Sequence, residues 1–346
     1  MKPVMRLLAM LGFGVAVLPS ALAQAQTPEE FYRNKNIDFI VPTSPGGDYD
    51  LRSRLVARHF PRLIPGNPQV IVRNMPGGLG IAAANYLAKV APKDGTALHM
   101  IFQNMPTLQA IGSKEVQFDV RQLGWIGNTT NTPNVINSWY ATGITKIEDV
   151  YTKELVVGAP GAASSSYVYP AAMNQLLGTK FKIVTGYPGG NDVNLAMEKG
   201  EVGGRGSNSW ASWKSGHPHW LAEKKIYILV QIGLERAPDL KDVPLIWELA
   251  KNEQDREVLK FISADMGISR AVVTTPGVPA DRLAALRTAF DTMMKDPMFL
   301  AEADKTKMDI SPSTGAQAQA VAESMLAASP EVLARAKVLI EGPGNK

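Results

Sequence analysis

Short apolar runs alternate with helix-patterned stretches along most of this 346-residue chain, and the joints between them are rich in Gly, Pro and Ser. Ile37 to Val41 reads as a strand and Pro42 to Gly47 as a loop, after which Leu51, Leu55, Val56 and Phe60 recur at helical spacing. Val70 to Val72, Pro76 to Gly78 and the Ala-rich stretch Ile81 to Val90 repeat the order, and Pro92 to Gly95 turns the chain into Ala97 to Phe102. A second series begins at Glu154 to Ala159, continues through the small-residue loop Pro160 to Ser165 into a helix over Ser166 to Leu177, and adds a strand at Lys182 to Thr185. Asn191 and Asp192 are placed to cap the helix that runs to Lys199. Val272-Val273 closes one more strand, and Pro279, Pro297 and Pro330 open C-terminal helices. Such alternation predicts an α/β protein with mostly parallel sheets covered by helices, and the length suits two domains.

Residues 1–25 do not belong to this pattern. Lys2 and Arg6 precede an apolar run from Leu7 to Leu18, and Ala21-Leu22-Ala23 supplies a small-x-small site. A cleavable signal peptide is predicted, leaving Gln24 or Gln26 first, and with it a periplasmic location. The run is too short to span a bilayer, and no later apolar stretch is long enough. Cysteine is absent, which excludes disulfides, thiolate metal sites and a lipoprotein anchor. Lys and Arg total 36 against 32 Asp and Glu; removing Lys2 and Arg6 leaves 34 against 32, no footprint for nucleic acid.

The loops that open helices carry the chemistry. In PTSPGGDYDLRSRL and in GAPGAASSSYV a strand passes through Gly, Pro and Ser into a helix start, where free N–H groups and the helix dipole favour a carboxylate or phosphate. Gly46 and Gly47 allow close backbone approach, and Thr43, Ser44, Ser164, Ser165 and Ser166 add hydroxyls. Two such loops in two domains suggest a clamp. No dinucleotide, P-loop or G-x-S-x-G motif occurs, so no enzyme and no cofactor is predicted. His217-Pro218-His219 reads as a surface loop rather than a metal site, and Trp210 and Trp213 as core packing.

PTSPGGDYDLRSRL resembles the P-F-x-x-G-G-x-x-D segment of the Bug family of extracytoplasmic solute receptors, the TctC-like binding proteins of tripartite tricarboxylate transporters. VIVRNMPGGLG, APKDGTAL, GAPGAASSSYV, GYPGGNDVNLAMEKGEVGGR, DVPLIWEL, TTPGVPADRLAALRTAF and KDPMFL follow in the family's order across nearly the whole remaining chain. Departures stand at Thr43, Asp48 and Gly203.

The resemblance implies a two-domain type II periplasmic binding protein, or Venus flytrap, with residues 27–127 plus 263–346 in the first domain and 128–262 in the second. It also implies a monomer that captures a small carboxylate and delivers it to membrane permease subunits. A sensor component that reports to a membrane kinase is the alternative within binding proteins, and a secreted hydrolase the alternative among enzymes. Carried across residue by residue, the ligand contacts would be Thr43, Ser44, Gly46, Gly47 and Asp50 with Asn74, Gly78 and Asn104 in the first domain. In the second they would be Ala163, Ser164, Ser165, Ser166, Tyr187 and Asn191. Arg205 is a candidate partner for a second carboxylate, and Asp48 is expected to cap its own helix.

Overall fold

The computed structural model describes residues 26–161 and 164–341. The signal peptide and Ala163 therefore lie outside the described residues. Four strands open the fold: β1 (Asn36–Val41), β2 (Gln69–Asn74), β3 (Ala97–Met100) and β4 (Gly124–Asn128). The chain then crosses to a second sheet built from β5 (Asn134–Trp139), β6 (Leu155–Ala159), β7 (Phe181–Thr185), β8 (Gly204–Ser209) and β9 (Ile226–Ile232). It returns for β10 (Ala271–Thr274) and the two-residue β11 (Ser313–Thr314). The strand orders are β11-β4-β10-β3-β1-β2 and β7-β6-β8-β5-β9.

Both sheets are mixed rather than mostly parallel in their pairing. β1 pairs in parallel with β2 and β3, and β6 with β7 and β8, but β10, β11 and β5 run against their neighbours. The cause is the crossing itself. β5 starts beside the last residues of β8 and β9, with Asn134 opposite Ser209 and Ile232, and β10 starts beside the last residue of β4, with Ala271 opposite Asn128. A strand that enters a sheet at the edge where its neighbours finish must run antiparallel to them. The same register places the carboxyl ends of β1 to β4 and of β6 to β9 at the crossings, so the loops that follow them face each other. Ligands of open α/β sheets bind at that edge.

Polar bonds tie the crossings together. The Asn128 side chain donates to Thr130 O (2.9 Å) and accepts from Arg270 N–H (2.9 Å), and Ser269 Oγ donates to Thr130 O (2.7 Å). Thr132 Oγ1 donates to Asp309 Oδ2 (2.5 Å), whose backbone carbonyl accepts from Arg52 (2.9 Å).

Burial selects the helix faces. In the Asp48–His59 helix Tyr49, Arg52, Ser53, Leu55 and Val56 are buried, whereas Leu51 is 46% exposed, so the inward face is not the one that Leu51 predicts. Tyr49 and Arg52 take it because they reach Ser269 O and Asp309 O on other segments. Apolar clusters fill both sides of each sheet. The Pro330–Glu341 helix, which the division at residue 263 puts with the first domain, packs on the Glu253–Ser263 and Ser165–Leu177 helices of the second. Among the described residues no helix is long and apolar enough to cross a membrane.

Candidate functional site

Six helices begin at the edge where the strands end, none with a side-chain cap: those behind Asn104 and Ser209, and four more. Their N-cap residues are Gly47, Gly80, Ser164 and Gly189. Elsewhere the helices that start at Pro28, Glu253, Pro297 and Gly315 are capped by Thr27, Asn252, Asp296 and Thr314, while the Ala280–Met293 helix behind Pro279 is not. A first turn leaves several N–H groups without an intrahelical partner, and a capping side chain normally takes one or two of them. At the facing edge no side chain takes them, although behind Gly80 a preceding turn does, with Gly80 N–H on Gly77 O and Ile81 N–H on Gly78 O. Ser164 has a hydroxyl suited to capping but donates it backwards to Gly161 O at 2.6 Å.

Around the first-lobe loop the structure brings Thr43, Gly46, Asp50 and Asn74 together. The Gly46 N–H donates to Asp50 Oδ2 (2.9 Å), Asn74 Nδ2 donates to Thr43 O and Asp50 Oδ1 (both 2.9 Å), and Arg54 Nε donates to both Asp50 oxygens (3.0 Å). Burial pushes the Asp50 carboxyl up, yet the hydrogen bonds from Arg54, Gly46 and Asn74 outweigh it and leave it below the usual range. Asp50 and Asn74 thus brace the loop from behind. Gly46, at φ 90°, is held in the left-handed region that this turn requires, whereas Gly47 at φ −82° has open space where a Cβ would point. Ser44, Gly46, Gly47 and Gly78 are exposed; Thr43 Oγ1 and Asn104 Oδ1 are buried without a partner.

Asp48 does not cap the helix. The helix begins with it, and its carboxylate turns to Arg270 Nε (2.5 Å) and Arg52 (3.6 Å). Burial raises its pKa, but the two guanidinium groups hold it at about 2. Arg270 also lies 4.1 Å over the Tyr49 ring. Sequence reasoning missed Arg270, and no local signal marks a pair 222 residues apart.

In the second lobe Ser165 is exposed, whereas Ser166 is buried and donates its hydroxyl to Ser207 O (2.9 Å). Tyr187 is half-buried with its ring against Gly158, and Asn191 is exposed. Asn191 and Asp192 sit inside the first turn rather than capping it, because extended Gly189 starts the helix earlier. Arg205 lies on the same face as Gly158, close to the helix that Gly190 begins. Trp210 and Trp213 are core residues, 6% and 0% exposed. His217 precedes a short helix opened by Pro218 and His219 lies inside it, rather than both lying in a surface loop, and no metal-holding group of side chains occurs among the described residues. Farther out, a groove of about 350 Å³ runs between Lys214 and Ser215 of the second lobe and Asp304, Lys307 and Asp309 of the first.

This arrangement is a two-lobed α/β fold, and solved structures of binding proteins share it. A TctC solute-binding protein from Polaromonas without ligand superposes with a TM-score of 0.65 at 20% identity, covering 90% of this chain and 99% of that one. The R. palustris protein Rpa4515 with adipate gives 0.64 at 17% identity (89% and 97%), and the periplasmic binding protein BugD 0.63 at 16% (89% and 98%). Among curated proteins, a UPF0065 protein of Bordetella bronchiseptica is 26% identical over 185 residues, 52% of this chain and 53% of the relative, so that match spans about half of the relative's length. A UPF0065 protein from the TAR-I ttuE-ttuC' intergenic region of Agrobacterium vitis is 24% identical over 311 residues, 83% of this chain and 80% of its own. No family model matches the chain. The chain therefore has the fold of the TctC and Bug periplasmic binding proteins, the family to which its motifs point, and these neighbours are binding proteins rather than enzymes.

Proposed function

We propose that this protein is a periplasmic receptor of the Bug type that captures a small carboxylate between its lobes and hands it to the permease subunits of a tripartite tricarboxylate transporter. The observation that carries the reading is the set of uncapped helix starts at Gly47, Gly80, Ser164 and Gly189, all at the edge where the two sheets face each other. Free N–H groups at helix starts suit a carboxylate without a charged side chain in contact with it. Adipate in the structurally similar R. palustris protein is a ligand of the same chemistry.

In this reading the leader directs export and is removed, and the mature protein works as a monomer. Ser44, Gly47, Gly78, Ser165, Tyr187 and Asn191 touch the ligand or its waters, while Asp50 and Asn74 hold the loop that does. The lobes close about the crossings at 129–133 and 264–270, and the Pro330–Glu341 helix moves with the second lobe.

A thermal-shift screen of small carboxylates beside their matched primary amides tests the reading. A ligand that binds only the folded state raises Tm, so at least one carboxylate should do so while its amide does not. Equal shifts for acid and amide, or none for any acid, would remove carboxylate capture.

A further inference from the structure

A single amide in the second lobe serves two nitrogen-bearing side chains. Arg205 on β8 donates to Asn194 Oδ1 (3.1 Å), its one side-chain acceptor among the described residues, and its Nε is buried with none. The Nδ2 of the same amide stands 3.1 Å from His217 Nε2. Chemistry fixes which way these bonds run. A guanidinium can only donate, so the amide turns its oxygen to Arg205 and its NH2 to His217. His217 Nε2 must then accept, which makes the ring neutral with its proton on Nδ1.

Protonation of His217 breaks this arrangement. An imidazolium donates from both nitrogens, so Asn194 would face a donor on each side with one oxygen to give. The ring itself is held: it stacks on Trp220 with centroids 4.3 Å apart and lies 5.5 Å from the Trp213 ring. A cation over an indole face is bound more firmly than a neutral ring, so the ring stays and the amide turns. Its oxygen then meets His217, its NH2 points at the guanidinium, and Arg205 loses its acceptor.

His217 is half-buried, within reach of protons from solvent. The charged and titratable groups that face it are His219 on the Pro218–Ala222 helix, Glu198 on the Gly190–Glu198 helix and Arg205 on β8. Burial and the neighbouring His219 hold its pKa below the usual 6.5 against the pull of Glu198, and Arg205 adds to the lowering. The ring is therefore neutral at pH 7.5 and takes its proton in mild acid.

Arg205 carries the change to the binding edge. Its guanidinium packs so closely on Gly190 that any Cβ there would overlap it. Gly190 opens the Gly190–Glu198 helix behind uncapped Gly189, and Asn194 stands one turn along the same helix. A guanidinium that leaves Asn194 gives up its place against Gly190 as well.

We infer that His217 and Asn194 form a proton switch in the second lobe. With His217 neutral, Asn194 holds Arg205 against Gly190; with His217 protonated, the amide turns, Arg205 leaves and the helix start at Gly189–Gly190 shifts. One of the facing helix starts thereby answers to the acidity of the medium. Its consequence for ligand capture rests on the carboxylate reading above, whereas the switch itself does not.

The test is an NMR titration of ¹⁵N-labelled protein without ligand from pH 7.5 to pH 5.0. It follows the His217 ring nitrogens, the Asn194 side-chain NH2 and the backbone N–H groups of Gly190 and Asn191. In the wild type these should share one midpoint below pH 6.5. His217→Phe keeps a ring on Trp220 but takes no proton, so Asn194, Gly190 and Asn191 should stay flat across the range. His219→Gln should leave them titrating together. Asn194→Asp gives both cations an acceptor; it should raise the His217 midpoint by about one unit or more and stop Gly190 from following it. That variant carries the test if His217→Phe does not fold. A His217 ring that stays neutral down to pH 5.0, Gly190 and Asn191 resonances that stay still while it titrates, or a response that persists in His217→Phe would each overturn the switch. With no ligand added, these results leave carboxylate capture to the thermal-shift screen.

Discussion

The loop after β1 in the first lobe is braced by its own side chains, with Asp50, Asn74 and Arg54 bonded to one another and to the Thr43–Gly46 backbone. On the second lobe, Arg205 Nε, Trp213 Nε1 and both polar atoms of the Asn137 amide are buried with no partner among the described residues, whereas in the first lobe only Thr43 Oγ1 and Asn104 Oδ1 near that loop are left so. Both lobes use strand, loop and uncapped helix, so the difference is not one of architecture. It separates polar groups that hold a loop in shape from polar groups kept for something that arrives later. A buried polar residue near a binding edge is therefore informative only once its partners are counted.

The largest expected effect sets the two kinds of group against each other. Asp50→Ala should destabilise the protein by roughly 2 to 3 kcal/mol, since it takes the acceptor from the Gly46 N–H and the Asn74 amide, while Arg54, 41% exposed, turns to water. Arg205→Gln removes a cation with no anion and should cost less than about 1 kcal/mol. Urea unfolding of both variants decides it; similar losses would erase the distinction between the lobes.

The return crossing supplies the next. Asp265 is buried beside Tyr169 Oη (3.4 Å), and burial pushes its pKa up to about 7. Between pH 4 and 7 the folded state binds more protons at this site than the unfolded chain, whose carboxyl titrates near 3.8. Its contribution to stability therefore falls as pH rises through that window and levels off above it. Asp265→Asn should flatten the dependence, gaining about 2 kcal/mol relative to wild type on going from pH 5 to pH 8. Melts at the two pH values measure it, and parallel profiles for both proteins would exclude the role.

Smaller still are the effects on binding. Gly47→Val meets no atom of the protein, so its fold should survive, and the branched side chain should instead keep a ligand from the backbone. At least about a tenfold loss of carboxylate affinity is expected, or 1.4 kcal/mol. Ser165→Ala, an exposed hydroxyl at the opposite loop, should cost about 0.5 to 1.5 kcal/mol. Calorimetry checks both; wild-type affinity in Gly47→Val would move the ligand off the first lobe.

The β1 strand, its Pro/Gly loop and the helix after it were legible because apolar periodicity and turn residues coincide there. β8 was not, since Gly204 to Ser209 (GRGSNS) contains no apolar residue. It is a strand because Gly206 fits against the Ser166 carbonyl, and that tertiary closeness leaves no pattern in the local sequence. Leu51 misled in the opposite direction: its spacing suits the core, but Arg52 occupies the inward face through Asp309 O. The site was legible as loops and not as roles. Asp48 reads as the cap of its own helix, yet its partner Arg270 comes from the far crossing, and local propensity could not reveal that pair.

Amide chemical shifts of ¹⁵N-labelled protein, followed while the carboxylate found by thermal shift is titrated in, test the central claim most directly. The account predicts that the N–H resonances of Gly47 to Tyr49, of Ser165 and Ser166, and of Gly190 and Asn191 move together and saturate at one concentration. Shifts confined to the other groove, of about 170 Å³ between Glu257 and Arg335, would contradict it and place the ligand away from the facing loops.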